Sequence, residues 1–222
     1  MIKIQQYFAF FGALLISSLS IADCPQFYPN QKTIQPINAI ELCNSFFVSQ
    51  YDDSNKRNLF SSELLQPQGH ILTRKNSFHA DKRSTNAVKP QEYYDTGFDK
   101  GHMVPSDDST TYDEMYDTFL MTNMTPQNPV LNRVKWKNLE EQTRKMISAS
   151  GKPGIVVTGA LYEDSGKIPN GRVPVPTGYF KIIYVDGQKP SAFYADNNQD
   201  SKPHSVQVSW INAKTSMKFP QE

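Results

Sequence analysis

Asp99-Lys100-Gly101-His102-Met103-Val104-Pro105-Ser106-Asp107-Asp108 sets one histidine between a glycine and a proline, in a chain with 4 histidines. A neutral imidazole can take a proton from water near pH 7 without extreme tuning, so a histidine framed this way is a candidate general base. Gly101 permits a turn or a close backbone approach, and Pro105 ends any regular ladder, which predicts His102 at a strand end facing a cleft. Further along, Asn132-Arg133-Val134-Lys135-Trp136-Lys137-Asn138-Leu139-Glu140 is a polar run that opens an amphipathic helix. One base with one oxygen-rich helix suggests metal-assisted phosphodiester cleavage.

Several elements must position these groups. Residues 45–51 and 69–73 read as strands, followed by an irregular polar region from Arg74 to Asp95 that could frame a substrate groove. Thr111-Tyr112-Asp113-Glu114 resembles a capping box opening a short helix through Phe119. From Leu131 to Ala149 the positions Trp136, Leu139, Thr143, Met146 and Ile147 keep a helical period, and Ser150-Gly151-Lys152-Pro153 supplies a stop. Gly154 to Thr158, Gly178 to Val185, Ser191 to Ala195 and Val206 to Ile211 are β-rich runs. The fold class expected is α+β, a mostly antiparallel sheet packed with a few helices.

Three ordered motifs carry a family resemblance: Asp99-Lys100-Gly101-His102; Thr122-Asn123-Met124-Thr125-Pro126-Gln127; and Leu131-Asn132 followed by Trp136, Leu139, Glu140 and Arg144. They resemble the DNA/RNA non-specific endonuclease family, whose active site is the ββα-metal, or His-Me finger, motif. The likeness continues through Val157 to Tyr162 and Val175 to Lys181. It implies a nuclease in which His102 activates water for attack on a phosphodiester and Asn132 is the direct protein ligand of Mg²⁺. Products would carry 5′-phosphates. An amide oxygen plus several waters suits a hard cation, and Mn²⁺ or another divalent ion can substitute, since one protein ligand selects weakly.

Glu140 lies eight residues beyond Asn132. On an unbroken helix the two are about 12 Å apart along the axis and turned well away from one face, so Glu140 is assigned to a metal-bound water rather than to the ion. Its bland alternative is a surface pair with Arg144 at i+4. The resemblance implies an arginine near the scissile phosphate; Arg74 is favoured, with Arg83 as rival. Asn123 would orient His102 or a water, or else simply form a turn before proline. Asp99 reads as scaffold, and Lys100 stands where the family usually has arginine, keeping charge but not bidentate geometry. Tyr93, Tyr94 and Phe98 are candidates for base stacking or for core packing. His70, His79 and His204 make no metal spacing and read as structural or exposed.

The chain has 222 residues, 38% hydrophobic and 12% aromatic, enough for a substantial core. Residues 1–22 hold Lys3, an apolar stretch from Phe8 to Ile21 and a small-residue end at Ala22, the parts of a secretory signal cleaved before Asp23. That leaves 23–222 as one domain, periplasmic or secreted, without stable membrane association; a retained anchor would need a longer apolar run. Loss of Lys3 leaves 22 basic against 22 acidic residues, so net charge does not advertise nucleic acid, and affinity for DNA and RNA must come from a local patch on the phosphate backbone. The 2 cysteines, Cys24 and Cys43, predict a disulfide in an oxidising compartment, stabilising by about 3 kcal/mol. Two other classes remain open: a non-catalytic nucleic-acid-binding module on the same scaffold, and a nuclease toxin restrained by an immunity protein.

Overall fold

A computed structural model describes residues 24–67, 72–163, 166–169 and 171–222. The leader at 1–22, its cleavage point, His70 and most of the strand expected at 69–73 lie outside the described residues. A seven-stranded sheet forms the body, with strands β1 (Ile40–Cys43), β2 (Phe47–Asp52), β3 (Arg57–Leu65), β6 (Gly154–Leu161), β7 (Gly178–Val185), β8 (Ser191–Asp196) and β9 (His204–Ser205) side by side in that order. Every pairing is antiparallel. A separate two-stranded ribbon pairs β4 (Asp99–His102) with β5 (Met124–Gln127). Among the described residues, no helix is long and apolar enough to cross a membrane.

The sheet is buried on both faces. One face carries Val48, Phe60, Val157, Phe180 and Ile182 against the N-terminal Cys24, Phe27 and Tyr28 and the C-terminal helix α3 (Val208–Thr215). On the other face, Ala160, Tyr179 and Ala195 pack against Met103, Leu131, Trp136 and Leu139. This second layer bears the ribbon and helix α2 (Lys137–Ser150), which ends at Gly151 in the left-handed region at φ 65, as the Ser-Gly-Lys-Pro stop predicts. Helix α1 (Tyr112–Thr118) begins with the expected box: the Glu114 amide donates to Thr111 Oγ1 at 3.2 Å, and the Thr111 amide donates to Glu114 Oε2 at 3.2 Å.

One expectation is corrected. Val206 to Ile211 is not a strand: β9 is confined to His204–Ser205, and Val208–Thr215 is helical because Val208 and Ile211, three apart, both bury against the sheet. Tertiary packing overrides their β-branched preference. Strands β1 and β3 are unanticipated, β3 because Asn58, Ser61, Ser62 and Glu63 interrupt its apolar pattern although all are buried. Three of their polar atoms are satisfied, Asn58 Nδ2 donating to Ser61 Oγ and to the Thr122 carbonyl, both at 2.8 Å, Ser61 Oγ lying 2.8 Å from Ser49 Oγ, and Ser62 Oγ donating to the Phe27 carbonyl, while Asn58 Oδ1 and both Glu63 oxygens are buried without a partner among the described residues.

Cys24 and Cys43 form a disulfide with Cα atoms 6.0 Å apart. Glu41 lies against the two sulfurs, and these three residues are the one group of metal-type side chains clustered among the described residues. With both sulfurs joined to each other, neither is available as a thiolate ligand.

Candidate active site

The ribbon and the start of the long helix converge on a cleft of 630 Å³ lined by Arg74, Phe78, Asp99, Lys100, His102, Asn132 and Glu140 among others. His102 ends β4 opposite Met124, as its Gly-Pro frame predicts. Gly101 is required by close approach: a Cβ there would sit 2.3 Å from Gln127 Oε1 and 2.6 Å from Gln127 Cβ. The imidazole is half-buried, edge-on to Phe119 at 4.9 Å and 5.8 Å from the Phe78 ring. Its Nε2 is buried with no hydrogen-bond partner among the described residues. Burial, and secondarily the charge of Arg74, push its pKa down to about 3, so the ring is neutral at pH 7.

Asp99 fixes the amide of Asn132. A carboxylate only accepts, so the Asn132 group 2.9 Å from Asp99 Oδ2 is the Nδ2 donor, and Oδ1 is turned away from that carboxylate. Arg133 completes the clamp, donating to both Asp99 oxygens at 2.8 and 2.6 Å.

The helix carrying Asn132 is not regular. Leu131–Trp136 is a π turn, with the Lys137 amide donating to the Asn132 carbonyl five residues back. Such a turn takes up one extra residue, so the eight steps from Asn132 to Glu140 turn through about as much as seven α-helical steps, which come within roughly 20° of a full repeat. The expectation that the two residues face apart is therefore corrected: both line the same cleft. Burial raises Glu140 to about 7, opposed first by Lys181.

The two candidate arginines separate cleanly. Arg74 is exposed on the cleft, its guanidinium 5.3 Å from the Phe119 ring centre and its Nε donating to Asn76 Oδ1 at 2.9 Å. Arg83 is committed elsewhere: it donates to both Asp81 oxygens at 2.9 and 2.7 Å, to the Cys43 carbonyl at 2.6 Å and to Asn44 Oδ1 at 2.8 Å. Its function is to pin the irregular segment to β1. Arg74→Ala is accordingly expected to lower turnover in this cleft about 100-fold with little change in melting temperature. Arg83→Ala is expected to lower stability by about 1–3 kcal/mol, since Asp81 is left buried without its partner, while turnover per folded molecule stays near wild type. Paired thermal melts and initial rates check both; a larger rate loss for Arg83→Ala would reverse the assignment.

Asn123 does not touch the imidazole. Its Nδ2 donates to the carbonyls of Val104 at 3.0 Å and Thr118 at 2.9 Å, and its Oδ1 accepts from the Val104 amide at 3.1 Å. The Asn123 carbonyl accepts from Met103 at 2.9 Å. With these bonds formed inside the protein, it holds the backbone that follows His102, a positioning role exercised through the main chain. Arg144 does not ion-pair with Glu140 either; its Nη1 donates to Asp108 Oδ1 at 2.8 Å.

Beneath the cleft lies a charge cluster the sequence reading missed. Lys181 on β7 is 1% exposed and donates to Thr158 Oγ1 at 2.5 Å. Glu63 on β3 is fully buried, and burial, then Asp108, hold its carboxyl well above the usual range. Both residues sit in strands whose neighbours are apolar or small, so periodicity could not single them out; a lysine inside the otherwise apolar Tyr179 to Val185 was the available signal. Among the aromatic candidates, Tyr93 is core, Phe98 packs against it, and only Tyr94 is exposed, at 62%. Lys100 Nζ lies 4.9, 5.8 and 5.4 Å from the ring centres of Phe78, Tyr93 and Tyr94.

Comparison with known proteins gives the chain relatives and a family. A nuclease of Nostoc is 34% identical over 156 residues, 68% of this chain and 56% of its own length. Human mitochondrial endonuclease G is 35% identical over 161 residues, 63% of this chain and 52% of its own. The chain thus spans about half the length of the curated relatives it matches. In three dimensions it superposes on a chain from the crystal structure of an EndoG/EndoGI complex with TM-score 0.69 and 22% identity, covering 81% of this chain and 84% of that one, a likeness of fold. The profile of the DNA/RNA non-specific endonucleases matches residues 27–221. With that match over most of its length, the chain belongs to the DNA/RNA non-specific endonuclease family.

Proposed function

We propose that residues 23–222 form a metal-dependent, sugar-non-specific endonuclease that hydrolyses phosphodiester bonds in DNA and RNA, leaving 5′-phosphates. The observation that carries this reading is the cleft itself, which the His102 imidazole and an amide with its nitrogen committed to Asp99 line together with Arg74 and Glu140.

His102 takes the proton of a water as that water's oxygen bonds to phosphorus, while the bond to the 3′ oxygen breaks in line. A ring held at about pKa 3 is always in the accepting form but is a weak base. A phosphodiester paired with Arg74 neutralises one of the two causes of that depression, so substrate binding strengthens the base. Arg74 also meets the charge that develops on the phosphoryl oxygens. The donor set fits a hard divalent cation with most of its waters retained: Asn132 would hold it directly and Glu140 through water, and Lys181 beneath Glu140 favours the ionised carboxylate. Bound Mg²⁺, or Mn²⁺ in its place, would supply Lewis-acid polarisation of the phosphoryl group and stabilise the leaving oxygen.

The Cys24–Cys43 disulfide supports export to an oxidising compartment, periplasmic or extracellular. End analysis of limit digests tests the reaction. DNA and RNA fragments accepted by ligase without kinase treatment are expected; fragments with 5′-hydroxyls would refute the in-line route with a 3′ leaving oxygen.

A further inference from the structure

Beside the cleft, the described surface exposes three tyrosines, and each carries a cation or an imidazole against its ring. Tyr94 is 62% exposed with Lys100 against it; Tyr112 is 47% exposed with Lys75 Nζ 4.1 Å from its centre; Tyr116 is 52% exposed with His79 stacked at 4.1 Å and 18°.

The connection to the cleft is direct. Lys75 follows Arg74, and its amide lies 3.4 Å from Met115 Sδ, which lays the segment along α1. Tyr112 and Tyr116 are one turn apart on that helix, and the same face continues to Phe119, the ring beneath His102. Two acids of α1 are turned to other tasks, Glu114 closing the capping box and Asp117 accepting from the Ser45 amide and hydroxyl, which leaves Asp113, three residues before Tyr116, as the acid that flanks this face.

We propose that Tyr112 and Tyr116, with Lys75, form a base-stacking strip that binds unpaired bases of a single strand beside the scissile phosphate, making single-stranded nucleic acid the preferred substrate of this cleft. A duplex keeps its bases stacked on one another and can offer the strip only its backbone, whereas a single strand offers a ring face for each tyrosine and a phosphate for Lys75. The strip rests on the nuclease reading for its purpose, yet its binding is measurable without catalysis.

The test is fluorescence anisotropy in EDTA with a labelled twelve-nucleotide DNA strand and the corresponding duplex. Wild type is expected to bind the strand more tightly. The Y112A/Y116A double variant is expected to lose about 10-fold or more for the strand and little for the duplex, and Y112F/Y116F to retain strand binding because the ring remains. Equal strand affinity in wild type and the alanine variant, or equal losses for strand and duplex, would overturn the strip. Should the alanine variant fold poorly, photocrosslinking of a 5-iodouracil strand to the unaltered protein reads the same contact: adducts at Tyr112 or Tyr116 support it, and adducts solely elsewhere contradict it. Adding Mg²⁺ separates the two claims. Cleavage that is indifferent to the tyrosines removes the strip and leaves the nuclease; tyrosine-dependent binding without cleavage does the reverse.

Discussion

Replacing His102 by alanine lowers turnover on DNA and RNA by about 100- to 10,000-fold, the usual range for a positioned general base, while substrate binding and the fold persist. Folding survives because the backbone at Met103 and Val104 is held by Asn123, not by the imidazole. The substitution also has a signature in stability. Burial and Arg74 push the folded ring's pKa down to about 3, whereas in the unfolded chain it titrates near 6.5. Between those values the unfolded state binds the extra proton, so wild type loses stability as pH falls below about 6.5. The alanine variant lacks that loss. Urea unfolding of both proteins at pH 7.5 and pH 4.5 should therefore show wild type losing ground to the variant on acidification. An unchanged rate in His102→Ala would remove the residue from the chemistry, and a difference in stability that ignores pH would contradict its depressed pKa.

Asn132→Ala carries the second large effect. Removing the direct ligand should raise the Mg²⁺ concentration for half-maximal rate by about 100-fold or more. Asp99→Ala, which frees the Asn132 amide to rotate, should raise it by about 10- to 100-fold, the cost typical of a partner that orients a ligand. Metal titrations of initial rate check the pair. Wild-type metal dependence in Asn132→Ala would move the ligand assignment elsewhere, and wild-type dependence in Asp99→Ala would show that the clamp does not matter.

Much of this site is legible in the sequence because its residues stand in local patterns. The Gly-His-x-x-Pro frame puts His102 at a strand end, and Gly101 proves to be a close-approach glycine under Gln127. The α1 box and the Gly151 stop are written in a few neighbouring residues and appear as read. What stayed hidden depends on distant partners. Strand β3 is polar in sequence and buried in the structure, where β2 and the segment around Thr122 satisfy Asn58 Nδ2 and Ser61. The π turn that brings Asn132 and Glu140 to one face leaves no mark on a helical period, and the commitment of Arg83 to Asp81 and β1 follows from packing alone. Val208–Thr215 misleads in the opposite sense, its β-branched residues burying by helical spacing against the sheet.

The central claim is that this cleft cuts both nucleic acids with metal. Purified, disulfide-intact protein incubated with plasmid DNA and with a single-stranded RNA, in Mg²⁺ and in EDTA, tests it directly. Degradation of both polymers in Mg²⁺ and of neither in EDTA is the result predicted. Folded protein that cleaves neither polymer across several divalent metals would contradict the account.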